Sequence, residues 1–173
     1  MTTFNGIISF TINAAKNLPD KDNALFNLDG VTDPYVSIVI DSEKKFETKY
    51  IDDDLNPIWK SDNTYEHPVD GEITEISLLV KDKDVLGSEK VGGVHFDCED
   101  LKDFALRKRK EGWFDLRTDD GKGDAVPNAQ LDIIMEYKPK RKGNIFNLNF
   151  NHMATLSIIA AFLHYYNKIV ILC

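Results

Sequence analysis

The stretch Val80–Gly92 reads VKDKDVLGSEKVG. It closes a run, Ile73–Val80, in which Ile76, Leu78 and Val80 share one side of an extended chain, and that side continues into Asp82 and Asp84. Side chains two apart in a strand point the same way, so the two aspartates face together. Like carboxylates held that close repel, and one must take up a proton unless water or a cation relieves the pair. Hard oxygen donors on a loose loop select a hard cation, calcium in preference to magnesium. An EF-hand is excluded by spacing: counting from Asp82, the fifth position is Leu86 and the twelfth is Gly93, where that loop needs Glu.

Short alternating segments extend on both sides of this stretch. Gly6–Ala14 places Ile8, Phe10, Ile12 and Ala14 on one face, the pattern of a half-buried strand. A turn-rich loop, Leu18–Thr32, is closed by Asp33-Pro34, whose pre-proline residue is pushed to extended geometry. Tyr35–Asp41 and Lys45–Ile51 follow as strands, and the acidic connection Asp52–Asn56 ends in a turn at Asn56-Pro57. Ile58–Trp59 with Thr64–Val69 forms the next strand, then Ile73–Val80 and Val91–Asp97. Leu101, Phe104 and Leu106 predict a short helix over Glu99–Arg109 that covers one end. Gly112–Leu116 and Ala129–Tyr137 complete an all-β, eight-stranded antiparallel β-sandwich. Trp113 and Phe114 are expected in its core, Asn56 and Trp59 as determinants of the fold, and Asp52, Asp53 and Asp54 as turn formers.

Composition narrows the class of function. The 173 residues carry a formal net charge of -8, but residues 1–137 hold 16 basic and 29 acidic side chains, a balance of -13. So acidic a domain repels nucleic acid and bare anionic membrane unless divalent cations neutralise it. Cys98 and Cys173 cannot make a disulfide framework, no Cys/His cluster has zinc spacing, and His67 and His95 stand in strands without partners at catalytic spacing. No secretory leader is evident at the N-terminus, so the reducing cytosolic side is the default. Nucleophile-elbow and phosphate-loop motifs are absent, and no enzyme is read. Residues 139–152 form a basic, Asn-rich linker, and 153–173 an apolar tail interrupted by His164, Asn167 and Lys168. Ala154–Cys173 is long enough to cross a bilayer as a tail anchor, and equally suited to an interfacial helix.

GVTDPYVSI, TKYIDDDLNPIW, ISLLVKDKD, KVGG and GWFDL, in that order, resemble a C2 domain over roughly Asn5–Lys138. The first family strand at the start and an added one at the end are similar to the type II form of that Greek-key sandwich, and the long first loop is most like those of extended synaptotagmins. The resemblance implies a calcium site of Asp22, Asp29 and Asp33 from the first loop and Asp82 and Asp84 from the third. Glu89 stands where the family commonly has another aspartate, and Asn27 takes the place of an acid in the more usual alignment. The resemblance thus implies ligands for at least one calcium.

The implied function is calcium-dependent binding of anionic phospholipid membranes. Empty, the acids repel an anionic leaflet; filled, the site attracts it by roughly 1 kcal/mol per effective charge. Leu25, Phe26 and Leu28 in the first loop and Val85 and Leu86 in the third would enter the interface, each contributing on the order of 1.5–3 kcal/mol if fully buried. Lys44, Lys45 and Lys49 offer a second, headgroup-binding surface, with Lys45 and Lys49 on one face of the third strand. The alternative is a calcium-independent C2 scaffold for a protein partner.

Overall fold

A computed structural model describes residues 1–20, 31–84 and 87–141. Met1–Lys140 forms one compact unit. Asp22, Asp29, Leu25, Phe26, Leu28, Val85, Leu86 and the linker and tail beyond Arg141 lie outside the described residues.

Among the described residues eight antiparallel strands run in the order β3-β2-β5-β6-β7-β8-β1-β4. They are β1 (Thr2–Lys16), β2 (Pro34–Ile40), β3 (Glu43–Glu47), β4 (Thr64–Ile73), β5 (Ile76–Asp84), β6 (Gly87–Phe96), β7 (Arg109–Arg117) and β8 (Ala125–Pro139). β6 and β7 are joined by a single pair, Gly93↔Arg117, and there the sheet folds over into the two layers of a sandwich. One layer is β3-β2-β5-β6 and the other β7-β8-β1-β4, with β8 beside β1. Ile8, Phe10 and Ile12 meet Leu131, Ile133 and Met135 from one layer and Val36, Ile38, Leu78 and Val80 from the other. Burying each such side chain contributes about 1.5–3 kcal/mol. Gly6 has φ +154, and a Cβ there would come within 2.1 Å of the Lys138 carbonyl, so β1 closes on β8 only with glycine at that point.

Several elements depart from the pattern expected of the residues. A bulge between Ile12 and Ala14 adds one residue to β1, so Ala15 turns inward and Ala14 outward. β3 begins at Glu43 and ends at Glu47, short of the expected Ile51, and carries a bulge at Lys45. Beyond it the Thr48 hydroxyl accepts the Val36 N–H, and the ladder gives way to a loop. Ile58 makes only an isolated bridge to Ala14. The run expected as Ile73–Val80 is broken at Thr74-Glu75, where Asp41 accepts both backbone N–H groups. The helix α1 spans Cys98–Arg107, capped by the Asp97 carboxylate and stopped at Lys108 with φ 65. Its Leu101 and Phe104 are buried, but Leu106 is 82% exposed, because it falls off the inward stripe of the helix. A further one-turn segment, α2 (Thr118–Gly121), covers β6. Trp113 is 44% exposed and not in the core, since β7 turns Phe114 and Leu116 inward and Trp113 outward.

Asp41 links this fold to pH. Burial works to raise its carboxyl, but hydrogen bonds from the Thr74 hydroxyl and from the Thr74 and Glu75 N–H groups outweigh that and hold it below its ordinary value. A depressed folded-state value means the stabilisation is complete above the unfolded-state carboxylate range and disappears as pH falls through the folded value. Asp41→Asn should therefore cost about 1 kcal/mol at pH 7, a figure already reduced for exposure. In urea denaturation the gap to wild type should begin to narrow below about pH 4 and close only once the pH passes the lower folded-state value; a gap independent of pH would show that the charge plays no part.

Candidate functional site

The inward face of β5 carries Ile76, Leu78 and Val80 in the core and then, without a break in alternation, Asp82 and Asp84. Asp82 is only 1% exposed. Its Oδ1 accepts the backbone N–H of Asp33 at 2.7 Å, and the Asp33 carbonyl accepts the Lys83 N–H at 3.1 Å. Pro34 pairs with Asp82 across the β2–β5 ladder, and on the other side Asp82 pairs with Glu89 and Asp84 with Gly87. Directly opposed residues of an antiparallel pair project to the same face. The register thus brings Asp33, Asp82, Asp84 and Glu89 to one rim, with Asp82 inside it and Glu89 at its exposed edge.

The second loop completes the described part of this rim. Asp33 Oδ1 accepts the Asp53 N–H at 2.8 Å, and Asp53 Oδ1 accepts the Val31 N–H at 3.0 Å. Asp53 has φ 50, a left-handed geometry that aspartate tolerates. The Thr32 hydroxyl donates to the Pro19 carbonyl at 3.0 Å and ties together the stem of the first loop. Asp53 reads from sequence as a turn former, and it is one. Its hydrogen bonds across to the first loop depend on spatial neighbours that a single chain does not display.

The donor set is all carboxylate, the chemistry that calcium selects. Asp33 and Asp82 each commit Oδ1 to a backbone N–H, and a carboxylate has two oxygens that each accept more than one contact. Among the described residues no group of three or more His, Cys, Asp or Glu could hold a metal. These acids suit a hard cation in kind, but the described residues do not by themselves enclose one.

The lysines of the expected headgroup surface each have a carboxylate partner. Lys44 Nζ lies 3.1 Å from Glu47, Lys45 pairs with Glu43, and Lys49 Nζ lies 2.6 Å from Asp62. Hydrogen bonds to Glu43 and Asp62 raise Lys45 and Lys49 above the ordinary lysine value. Lys45 occupies the bulge and Lys49 lies beyond the end of β3, so the two do not share a face of one regular strand.

His95 has partners that its spacing in sequence does not suggest. The Ser77 hydroxyl lies 3.0 Å from His95 Nδ1, and Glu75 Oε2 lies 4.0 Å from Nε2 and 2.8 Å from Lys122 Nζ. Burial, then the Lys122 charge, push this imidazole below its ordinary value. Ser77 is 7% exposed, and a Cβ at Gly121 would come 2.7 Å from the backbone nitrogen of His95. Through Lys122, at the end of α2, the trio ties that segment to the β5–β6 pair.

The eight-stranded order agrees with a family comparison, in which the C2 domain matches residues 6–116. The chain belongs to the C2 domain family. This C2 domain is 30% identical over 116 residues to phospholipase D beta 2 of Arabidopsis thaliana, covering 67% of this chain and 12% of the relative. It is 36% identical over 98 residues to a calcium-dependent lipid-binding protein of the same plant, covering 56% of this chain and 18% of that one. The chain thus spans less than a fifth of the length of these relatives. Among solved structures, the calcium-bound tandem C2 domains of extended synaptotagmin 2 superpose with a TM-score of 0.63 at 24% identity, covering 80% of this chain and 48% of that one. Among the described residues no helix is long and apolar enough to cross a membrane.

The buried acid supplies a test of the rim. Asp82→Asn keeps an acceptor for the Asp33 N–H and removes a desolvated charge. Without calcium the variant should be as stable as wild type or more so, by up to about 2 kcal/mol in urea denaturation. A loss of that size would show instead that the carboxylate charge is part of the resting fold.

Proposed function

We propose that this C2 domain is a calcium-dependent module for docking on anionic phospholipid membranes. The observation that carries the reading is the nearly complete burial of Asp82 beside Asp33, with Asp84 and Glu89 on the same face. A carboxylate so placed has lost most of its hydration, and the neighbouring acids make its charge still harder to keep. A divalent guest removes both costs.

Asp33, Asp82 and Asp84 would hold the ion together with Asp22 and Asp29, and Glu89 would close the outer edge. Bound calcium supplies positive charge and open positions for phosphate oxygens of phosphatidylserine-like headgroups. The Asp33–Asp82 and Asp33–Asp53 hydrogen bonds would keep the described part of the rim in place before the ion arrives. Leu25, Phe26, Leu28, Val85 and Leu86 would enter the interface from the loop tips. Lys44, Lys45 and Lys49 join as a further headgroup surface only where lipid phosphate displaces Glu47, Glu43 and Asp62. The similarity to a calcium-dependent lipid-binding protein supports this reading.

Sedimentation with phosphatidylserine-containing vesicles tests it. Calcium should raise the bound fraction, with apparent affinity increasing at least about ten-fold, the equivalent of one or two effective charges at the leaflet. Asp33→Asn/Asp82→Asn should abolish that increase. Equal binding in calcium and in chelator would overturn the proposal and favour the calcium-independent scaffold.

A further inference from the structure

One face next to the rim carries exposed apolar side chains that the core does not use. Trp113 on β7 pairs with Asp132 on β8, Asp132 with Ala14 on β1, and Ala14 with Ile58. Opposed residues share a face, so these four form one row across the outside of the layer. Strands lie about 4.8 Å apart, which sets Trp113 and Ile58 about 14 Å from each other with small Ala14 between them. Ile58 is 61% exposed. The row lies at the end of β1 where the first loop leaves, because Leu18 N–H donates to the Leu55 carbonyl and Trp59 N–H to that of Asn13.

The bulge in β1 decides what stands beside Trp113. Without the extra residue Lys16 would turn inward; with it, Lys16 projects outward and its Nζ lies 4.1 Å from the centre of the Trp113 ring. Among the described residues neither Lys16 nor Lys60, two places beyond Ile58, has a carboxylate within ion-pair distance, in contrast to Lys44, Lys45 and Lys49. Two cations without such partners flank two exposed apolar groups. Asp132, which accepts the Asn13 amide at 3.2 Å, is the acid within the row, and a carboxylate there disfavours burial in hydrocarbon while allowing a place among headgroups. Tryptophan and lysine together suit that layer: the ring is amphipathic and the ammonium reaches phosphate.

We infer that Trp113, Lys16 and Ile58 form a second contact with the same anionic bilayer, so that the domain docks tilted, with the outside of the β7-β8-β1 layer lowered toward the membrane. This rests on the calcium-dependent docking proposed above. Its occupant is a phospholipid surface because the row lies at the loop end of β1 and sets the exposed Lys60 and the half-exposed Lys16 beside an interfacial aromatic.

The chain has two tryptophans, and Trp59 is buried in the core, so Trp113 is the responsive fluorophore. The experiment adds calcium and 4:1 phosphatidylcholine:phosphatidylserine vesicles to the full chain, with spin labels at headgroup level or deep in the acyl chains. Emission should shift to the blue and be quenched by the shallow label more than by the deep one, and Trp113→Phe should remove the shift. Trp113→Ala should weaken vesicle affinity about ten-fold while leaving the calcium requirement intact. Urea midpoints of both variants check that they fold. Unchanged Trp113 emission with vesicles that still sediment the protein overturns the tilted contact and leaves calcium docking standing. No sedimentation in calcium overturns both.

Discussion

The register between β2 and β5 is the constraint from which the rest of the molecule follows. Val36, Ile38 and Ile40 pair with Val80, Leu78 and Ile76, and all six are buried. A slip of one residue would turn each of them to the opposite face, so core burial fixes the pairing firmly. Once it is fixed, Asp33 and Asp82 have no choice of neighbour: one precedes Pro34 and the other pairs with it. The hydrophobic core thus holds in place a group of acids that would separate if the strands were free. The desolvation cost at Asp82 is small against the apolar burial that enforces it, which is how a fold tolerates a local conflict at a binding rim.

How much of this is legible in the sequence follows from what kind of information each feature needs. The inward alternation Ile76, Leu78, Val80, Asp82, Asp84 is local, and residues 76–84 display both the core strand and the acids that end it. The end of α1 is also local, yet Leu106 misleads because an apolar residue near a helical stripe reads as part of it. Trp113 misleads for a related reason: GWFDL has two adjacent large aromatics, and a strand can bury only alternate ones. Bulges are harder still. The extra residue between Ile12 and Ala14 leaves no mark in composition, and it reverses the face of everything after it in β1. Asp53 and the partners of His95 come from contacts between neighbouring loops and paired strands, which no reading of spacing along one chain contains.

The lysines show why counting charge along a strand overstates an anion site. Lys44, Lys45 and Lys49 look like a basic surface when read along the chain, but each stands against a glutamate or aspartate. Exposed pairs of this kind contribute little to stability, roughly 0–1 kcal/mol, so they do not lock the lysines. They do cancel the long-range field that would draw an anionic headgroup in, and a lipid must compete for each lysine instead of finding it waiting. On a domain with a balance of -13 over residues 1–137, where a lysine has no acid beside it matters more than how many lysines there are. The one-residue bulge in β1 therefore has an electrostatic consequence as well as a geometric one. It takes Lys16 from a core-facing position, where its charge would have to be buried, and sets it on the open face against an aromatic ring. A backbone irregularity that costs a ladder hydrogen bond thus decides where positive charge is available beside an acidic rim.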